Sequence, residues 1–237
     1  TKPQGDNMTE TIDTSESKAL VLLQEQLKQE LGAIGGQIDP PSSNKISTKG
    51  KLFTLPDGRS NPGPMQVVIL DFVAFNSYYK AAWNPNVRAA PACWALGKVL
   101  EEMKPSANAP EPQHVDCDDC PKGAFGSAPG GGKGKACKNT RRLLVVEPKF
   151  GEATEPMSLD VSPTGLKSWN KYVDFLRKAH AVLPLQVVTQ ISFNPNESYP
   201  SLQFEFVDRH ANVELAMRLR NMHSDILWRE PELPKAA

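Results

Sequence analysis

The stretch from residue 84 to 140 constrains this chain more than any other, because it is dense in proline and glycine and too poor in contiguous apolar residues to bury a core of its own. It also holds all four cysteines: Cys93, Cys117, Cys120 and Cys137. A loop of this kind keeps one shape only if something staples it. The C-x2-C pair, with two more cysteines at loop distances, fits a tetrahedral Zn²⁺ site. Four thiolates close the coordination sphere and leave no position for an activated water, so the expected metal is structural. His114, three residues before Cys117, can replace Cys93 and give three thiolates and one imidazole. Two disulfides or four unrelated buried thiols are the alternatives, and a reducing compartment favours the metal.

Lys and Arg number 27 and Asp and Glu number 27, so net charge announces no polyanionic partner and any electrostatic signal must be local. Such a signal follows the glycine-rich loop, where Lys133, Lys135, Lys138, Arg141, Arg142 and Lys149 face one acid, Glu147. A basic stripe of this kind can track phosphates even on a neutral protein. No stretch approaches the roughly 20 apolar residues that span a bilayer. The polar, acidic N-terminal stretch lacks a signal-peptide pattern. The expectation is a cytoplasmic protein with no membrane partner.

Residues 1–14 are polar and read as disordered. From Ser15, Ala19, Leu22, Leu23, Leu27 and Leu31 fall at helical spacing, and Gly32 and Gly35–Gly36 end the helix. It caps its own core or docks on another subunit, the former being the expectation. A linker with Pro40–Pro41 follows. Residues 45–55 read as a strand, and Pro56-Asp57-Gly58 as a turn. The run M-Q-V-V-I-L-D-F-V-A-F-N-S-Y-Y from Met65 reads as the central strand of a curved sheet. Residues 141–146, R-R-L-L-V-V, resume that sheet after the cysteines. Ser162 and Pro163 suggest a helix N-cap and first turn. The helix over 164–180 would carry Leu166, Trp169, Tyr172, Val173 and Leu176 on one face. Strands follow over 186–193 and 201–207, where Leu202, Phe204 and Phe206 alternate with Gln203 and Glu205. A helix over 212–222 ends the pattern.

Three strands, a helix and two strands is the element order of an OB-fold. The expected class is therefore β-rich α+β: an OB-fold-like five-stranded barrel with a zinc-stapled insertion at 84–140, plus N- and C-terminal helices. Residues 1–44 form the N-terminal helix and linker, 45–210 the OB-like domain, and 211–237 the C-terminal helix and tail.

The glycine run 130–135 is not a phosphate-binding P-loop. Pro129 and Ala136 stand where that motif needs glycine and a hydroxyl, and no strand precedes it. It reads as a loop whose lysines can meet phosphates. Tyr78, Tyr79 and Trp83 follow the long strand, Trp94 adjoins Cys93 and Phe125 lies in the cysteine loop. Aromatics beside a basic stripe are how proteins hold single-stranded nucleic acid, by stacking bases and neutralising the backbone. The same rings can equally be core. Asp116, Asp118 and Asp119 suggest a Mg²⁺ site or, as expected beside thiolates, an exposed turn. His114, His180, His210 and His223 fall in no nucleophile or metal-hydrolase motif. No enzyme is expected.

Several segments carry a resemblance: V-V-I-L-D-F-V, N-S-Y-Y, P-A-C-W-A-L-G, P-Q-x-x-x-C-x-x-C, G-S-A, G-K-G-K-A-C-K-N-T-R-R-L and D-V-S-P-T-G-L-K-S-W-N-K-Y-V. Together they cover about half of the chain. The chain resembles a family of tailed-bacteriophage replication proteins similar in plan to zinc-containing, OB-fold single-stranded-DNA-binding proteins. The resemblance implies a protein that coats single-stranded DNA in replication or recombination in the infected cell. Lys133, Lys135, Lys138, Arg141 and Arg142 would take phosphates, and Tyr78, Tyr79 and Trp83 would take bases. Replication or recombination proteins and a second copy of the chain are further implied partners. The ending W-R-E-P-E-L-P-K-A-A is only mildly acidic, where such proteins often carry a strongly acidic tail. The alternative is a zinc-stapled adaptor that docks on a phage or host replication or transcription enzyme.

Overall fold

The computed structural model describes residues 22–27, 44–81, 89–130 and 132–231. The chain divides into two units, Thr1–Ser43 and Asn44–Ala237. In the first, residues 22–27 are helical (α1), within the span expected for the N-terminal helix. The polar stretch 1–14, the remainder of that helix, the linker 37–43 and Trp83 lie outside the described residues.

The second unit is built on one long strand. Among the described residues eight strands form: β1 (Phe53–Thr54), β2 (Ser60–Asn61), β3 (Met65–Tyr78), β4 (Cys93–Gly97), β5 (Cys137–Val146), β6 (Met157–Val161), β7 (Val187–Phe193) and β8 (Leu202–Arg209). β1 and β2 make a small hairpin of their own. The other six form one antiparallel sheet, β6-β5-β3-β7-β8, with β4 also on β3. β3 pairs with β5 along almost its whole length, with β7 through Met65–Val68, and with β4 through Ala74–Tyr78.

The sheet is open, and this corrects the expected barrel. β6 and β8 are its outer strands and do not pair with each other. The reason is written in two apolar runs. Val67, Val68, Ile69 and Leu70 are all buried, as are Leu143, Leu144, Val145 and Val146. A barrel strand buries one face and alternates; a continuous buried run means that both faces are covered. Val67, Ile69, Leu143 and Val145 pack with Trp169, Tyr172 and Leu176 of α2 (Leu166–Phe175) and the π-helical turn that extends it, Leu176–His180. Val68, Leu70, Leu144 and Val146 pack with Ala216 and Leu219 of α3 (Val213–Met222) and Ile226 and Leu227 of α4 (Asp225–Trp228). The result is a β-rich α+β unit with helices on both faces of the sheet.

Other expectations change in detail. Residues 45–55 form no continuous strand: Lys45 and Ser47 make single bridges, and a 3₁₀ turn at Lys49–Lys51 interrupts. β6 was not expected. Ser162 stands at the N-cap with proline in the first turn, as expected, but of a 3₁₀ turn, Pro163–Gly165, that precedes α2; its hydroxyl makes no cap bond and instead pairs with Thr164 Oγ1 at 2.9 Å and donates to the Pro200 carbonyl. The segment 84–140 is not wholly an insertion, since β4 joins the main sheet and Cys137 starts β5. Two small clusters root the rest of it, Ala74–Ala95–Met103 and Phe75–Trp94–Ala109. Among the described residues no helix is long and apolar enough to cross a membrane.

α2 sits close on the sheet through Tyr172, whose hydroxyl meets that of buried Thr189 at 2.6 Å; burial pushes its pKa up to about 12. Gly165 makes the approach possible. A Cβ there would lie 3.0 Å from Val161 Cγ1 and 3.3 Å from the Leu202 backbone nitrogen, which cannot give way freely. Gly165→Ala is therefore expected to lower stability by about 1–3 kcal/mol, read as a shift of the urea midpoint at unchanged slope.

Candidate functional site

Leu70 is one residue too many for the pairing of β3 with β5, which jumps from Ile69↔Val145 to Asp71↔Leu144. This bulge switches the parity of β3. Before it the odd residues face α2; after it Phe72, Ala74, Asn76 and Tyr78 do so. Asn76 and Tyr78 thereby come level with Asn139 and Cys137 of β5 on one side, and with Ala95 and Cys93 of β4 on the other.

Cys93 and Cys137 thus flank Tyr78. The C-x2-C turn folds over them: the Cys117 N–H donates to the Met103 carbonyl at 2.9 Å, and the Gly123 N–H donates to the Cys120 carbonyl at 2.8 Å. All four cysteines and His114 line one small cavity of about 20 Å³, room for a single water-sized body. All four are free thiols, so the disulfide alternative is not realised. Burial, followed by the proximity of the other cysteines, pushes the Cys137 pKa up to about 12. Burial likewise raises those of Cys93 and Cys117, the Cys117 shift being opposed by a hydrogen bond from Asn76. Asn76 in turn accepts from Asn139 Nδ2 at 2.7 Å. His114 Nδ1 accepts from the Asp116 N–H at 3.3 Å.

Among the described residues no three His, Cys, Asp or Glu side chains already form a metal-holding group. What fits Zn²⁺ is the kind and number of donors gathered on one ion-sized cavity, with an amide in reach to support a sulfur. A divalent cation would offset the burial, and the smaller mutual repulsion, that raise the pKa values of Cys93, Cys117 and Cys137.

The basic run does not form one stripe. In β5, Cys137, Asn139 and Arg141 face α2, whereas Lys138, Thr140 and Arg142 face α3 and α4, as the two-residue period of a strand requires. Arg142 is committed to the fold. Its guanidinium donates to the Leu227 and Arg229 carbonyls at 3.1 and 2.5 Å, lies 3.5 Å from Asp160 and sits over the Phe75 ring. Glu230 then accepts from Ser106 and Asn108 and strings the C-terminal segment across that face. Trp94 is buried core. Lys138 Nζ donates to the Lys135 carbonyl at 3.0 Å, and Lys133 is exposed on the glycine loop, where Ala128 bridges Gly132. Tyr79 is exposed on the face opposite Tyr78. Tyr78 is a cavity wall, with Lys122 Nζ 5.3 Å from its ring centre.

Arg141 is different. It is half-buried, donates only to its neighbour's carbonyl at Thr140, and has no carboxylate partner among the described residues. Burial alone lowers its pKa from the usual value, yet a guanidinium stays charged at neutral pH. It lies where two clefts meet, since both are lined by Arg141 and Leu100. One, about 280 Å³, runs to the cysteine loop past Lys135 and Asn139. The other, about 450 Å³, runs along α2 past Lys98, Asn170 and Arg177. At the cysteine-loop end Lys135 Nζ donates to Asn139 Oδ1 and lies 4.9 Å from the ring centre of Phe125, which is 82% exposed. The trough is the feature that sequence reading missed. Lys98 follows β4, whereas Asn170 and Arg177 lie on α2 and its π-helical extension, and no motif links them to one another or to Arg141.

No known protein family, curated protein or solved structure matches the chain.

Removing the Arg142 anchor should release the C-terminal segment. Arg142→Leu is expected to lower stability by about 1–3 kcal/mol through the orphaned carbonyls, and to speed tryptic cleavage at Arg229 as followed by mass spectrometry.

Proposed function

We propose that this protein binds single-stranded DNA without sequence preference, along the trough between α2 and the cysteine loop. The observation that carries the reading is Arg141: a half-buried cation with no carboxylate partner among the described residues, at the junction of two clefts. A buried charge of this kind calls for an anionic partner, and a phosphodiester supplies one. Lys135 extends the cationic line towards the loop, Lys133 and Lys138 add charge beside it, and Phe125 offers an exposed ring for base stacking. Tyr78 belongs to the loop's support in this reading, and Arg142 to the fold.

The metal has a definite part. Cys93, Cys117, Cys120 and Cys137 would hold one Zn²⁺, with His114 as the alternative to Cys93. The ion would supply rigidity alone, fixing the loop that carries Phe125 and Lys135. The resemblance noted in the sequence adds the setting, replication or recombination of a tailed bacteriophage in the cytoplasm of the infected cell. The reading is of a binding protein and not an enzyme.

A second reading, the adaptor, draws on Leu22, Leu23 and Leu27, each at least half exposed on α1. An apolar face of that kind suits a partner helix or groove. A pull-down with and without residues 1–40 tests it; equal capture by both forms removes it.

Anisotropy with labelled oligo-dT tests the first reading. Affinity is expected to fall steeply as salt rises, since each phosphate contact releases counterions, and duplex of equal length should bind more weakly. Arg141→Ala should cost roughly tenfold, the worth of one charged hydrogen bond. Arg218→Ala, on α3 across the sheet, should change nothing. Failure to bind oligo-dT at low salt, or salt-independent binding, refutes the reading.

The purified protein should also carry one zinc per chain by elemental analysis. Cys117→Ser and Cys120→Ser should each lose it, and chelation should weaken oligo-dT binding while α2 and the sheet stay folded by circular dichroism.

A further inference from the structure

The larger arm of the trough has a composition that phosphate tracking alone does not require. It measures about 450 Å³, within the range of roughly 300–1,000 Å³ typical of small-molecule pockets. Its floor is apolar, formed by Phe72, Ala74, Val173 and the edge of Trp169, against which Phe72 packs edge-on at 5.0 Å between ring centres. Its rim is charged, but most of that charge is spent. Lys98 pairs with Asp71 at 2.6 Å and Arg177 with Asp174 at 2.8 Å. Among the described residues, three cations against two carboxylates leave one unmatched positive charge, Arg141. On the wall stands Asn170, exposed on α2, whose side-chain amide makes no hydrogen bond among the described residues.

An apolar floor, one free cation at the mouth and one unengaged amide match a flat heterocycle joined to a phosphate. We infer that this arm is a nucleobase pocket. It takes one base of the bound strand out of the stack, lays it against Phe72, presents the Asn170 amide to its polar edge and leaves its phosphate on Arg141. The inference rests on the single-strand reading and adds to it a position at which the base itself matters. Each component has a different task. Arg141 meets the backbone whatever the base. Asn170 offers both a donor and an acceptor, which only a base edge can use. Phe72 supplies the stacking or edge contact common to all bases.

The test compares two oligonucleotides of equal length, oligo-dT and its abasic counterpart with the same phosphates and no bases. Asn170→Ala is expected to weaken oligo-dT binding about fivefold and leave abasic binding unchanged, whereas Arg141→Ala weakens both. Asn170 is exposed and its side chain makes no hydrogen bond among the described residues, so its truncation should leave the melting temperature where it was. Oligo-dT carrying 4-thiothymidine should photo-crosslink to a peptide containing Phe72 or Asn170. Normal oligo-dT affinity in Asn170→Ala, together with crosslinks confined to the cysteine loop, would overturn the pocket while leaving the single-strand reading intact. No binding of either oligonucleotide by the wild type removes both.

Discussion

Everything in the second unit hangs on β3. A strand of 14 residues is long enough to hold one partner along one edge and two different partners along the other. β7 takes the half nearer the turn, and β4 takes the half nearer the cysteines. The first half is buried on both faces between α2 and the C-terminal helices, and gives the unit its hydrophobic stability. The end of the second half carries Asn76 and Tyr78 to the cysteines, and there the same backbone becomes a platform. The fold and the candidate site are two ends of one strand, so the site inherits its precision from the core.

The bulge at Leu70 joins the two ends. Without it, Phe75 and Ser77 would face the cysteines, and Asn76 and Tyr78 the opposite side. With it, an amide and an aromatic ring fall between Cys93 and Cys137. The Asn76–Asn139 pair then stands beneath the sulfurs, where a hydrogen-bond donor has most effect on a thiol or thiolate. A single extra residue thus sets which chemistry the sheet presents to the loop above it.

The same periodicity separates two adjacent arginines. Arg141 and Arg142 are neighbours in sequence and opposites in role. Among the described residues one is left without a carboxylate on an open cleft, and the other is consumed by two carbonyls, a carboxylate and a phenyl ring. Glu230, seated on Ser106 and Asn108, has its carboxyl held below the usual range by those two hydrogen bonds, and carries the Arg142 anchor further along the same face. The C-terminal segment therefore braces the sheet from behind, on the side away from the trough.

Much of this was legible in the residues. The amphipathic pattern of Leu166, Trp169, Tyr172 and Leu176 marked α2 and its buried face, and the alternation of Leu202 and Phe204 marked β8. The four cysteines line one cavity, but only Cys117 and Cys120 do so from the loop, because Cys93 and Cys137 begin strands of the sheet. The apolar runs at 67–70 and 143–146 also carry the architecture, since two covered faces are incompatible with a simple barrel, whereas the order of elements along the chain is common to both. β6 escaped because M-S-L-D-V is short and lies among loop residues. What sequence alone could not decide is which residues of distant segments share a surface. Cys93 comes level with Cys137 because β4 and β5 flank β3, and Arg141 meets Lys98, Asn170 and Arg177 because α2 lies across the sheet. Local preference is written in nearest neighbours along the chain, whereas a binding surface is assembled from residues up to a hundred positions apart, by strand pairing and packing that only the folded chain fixes.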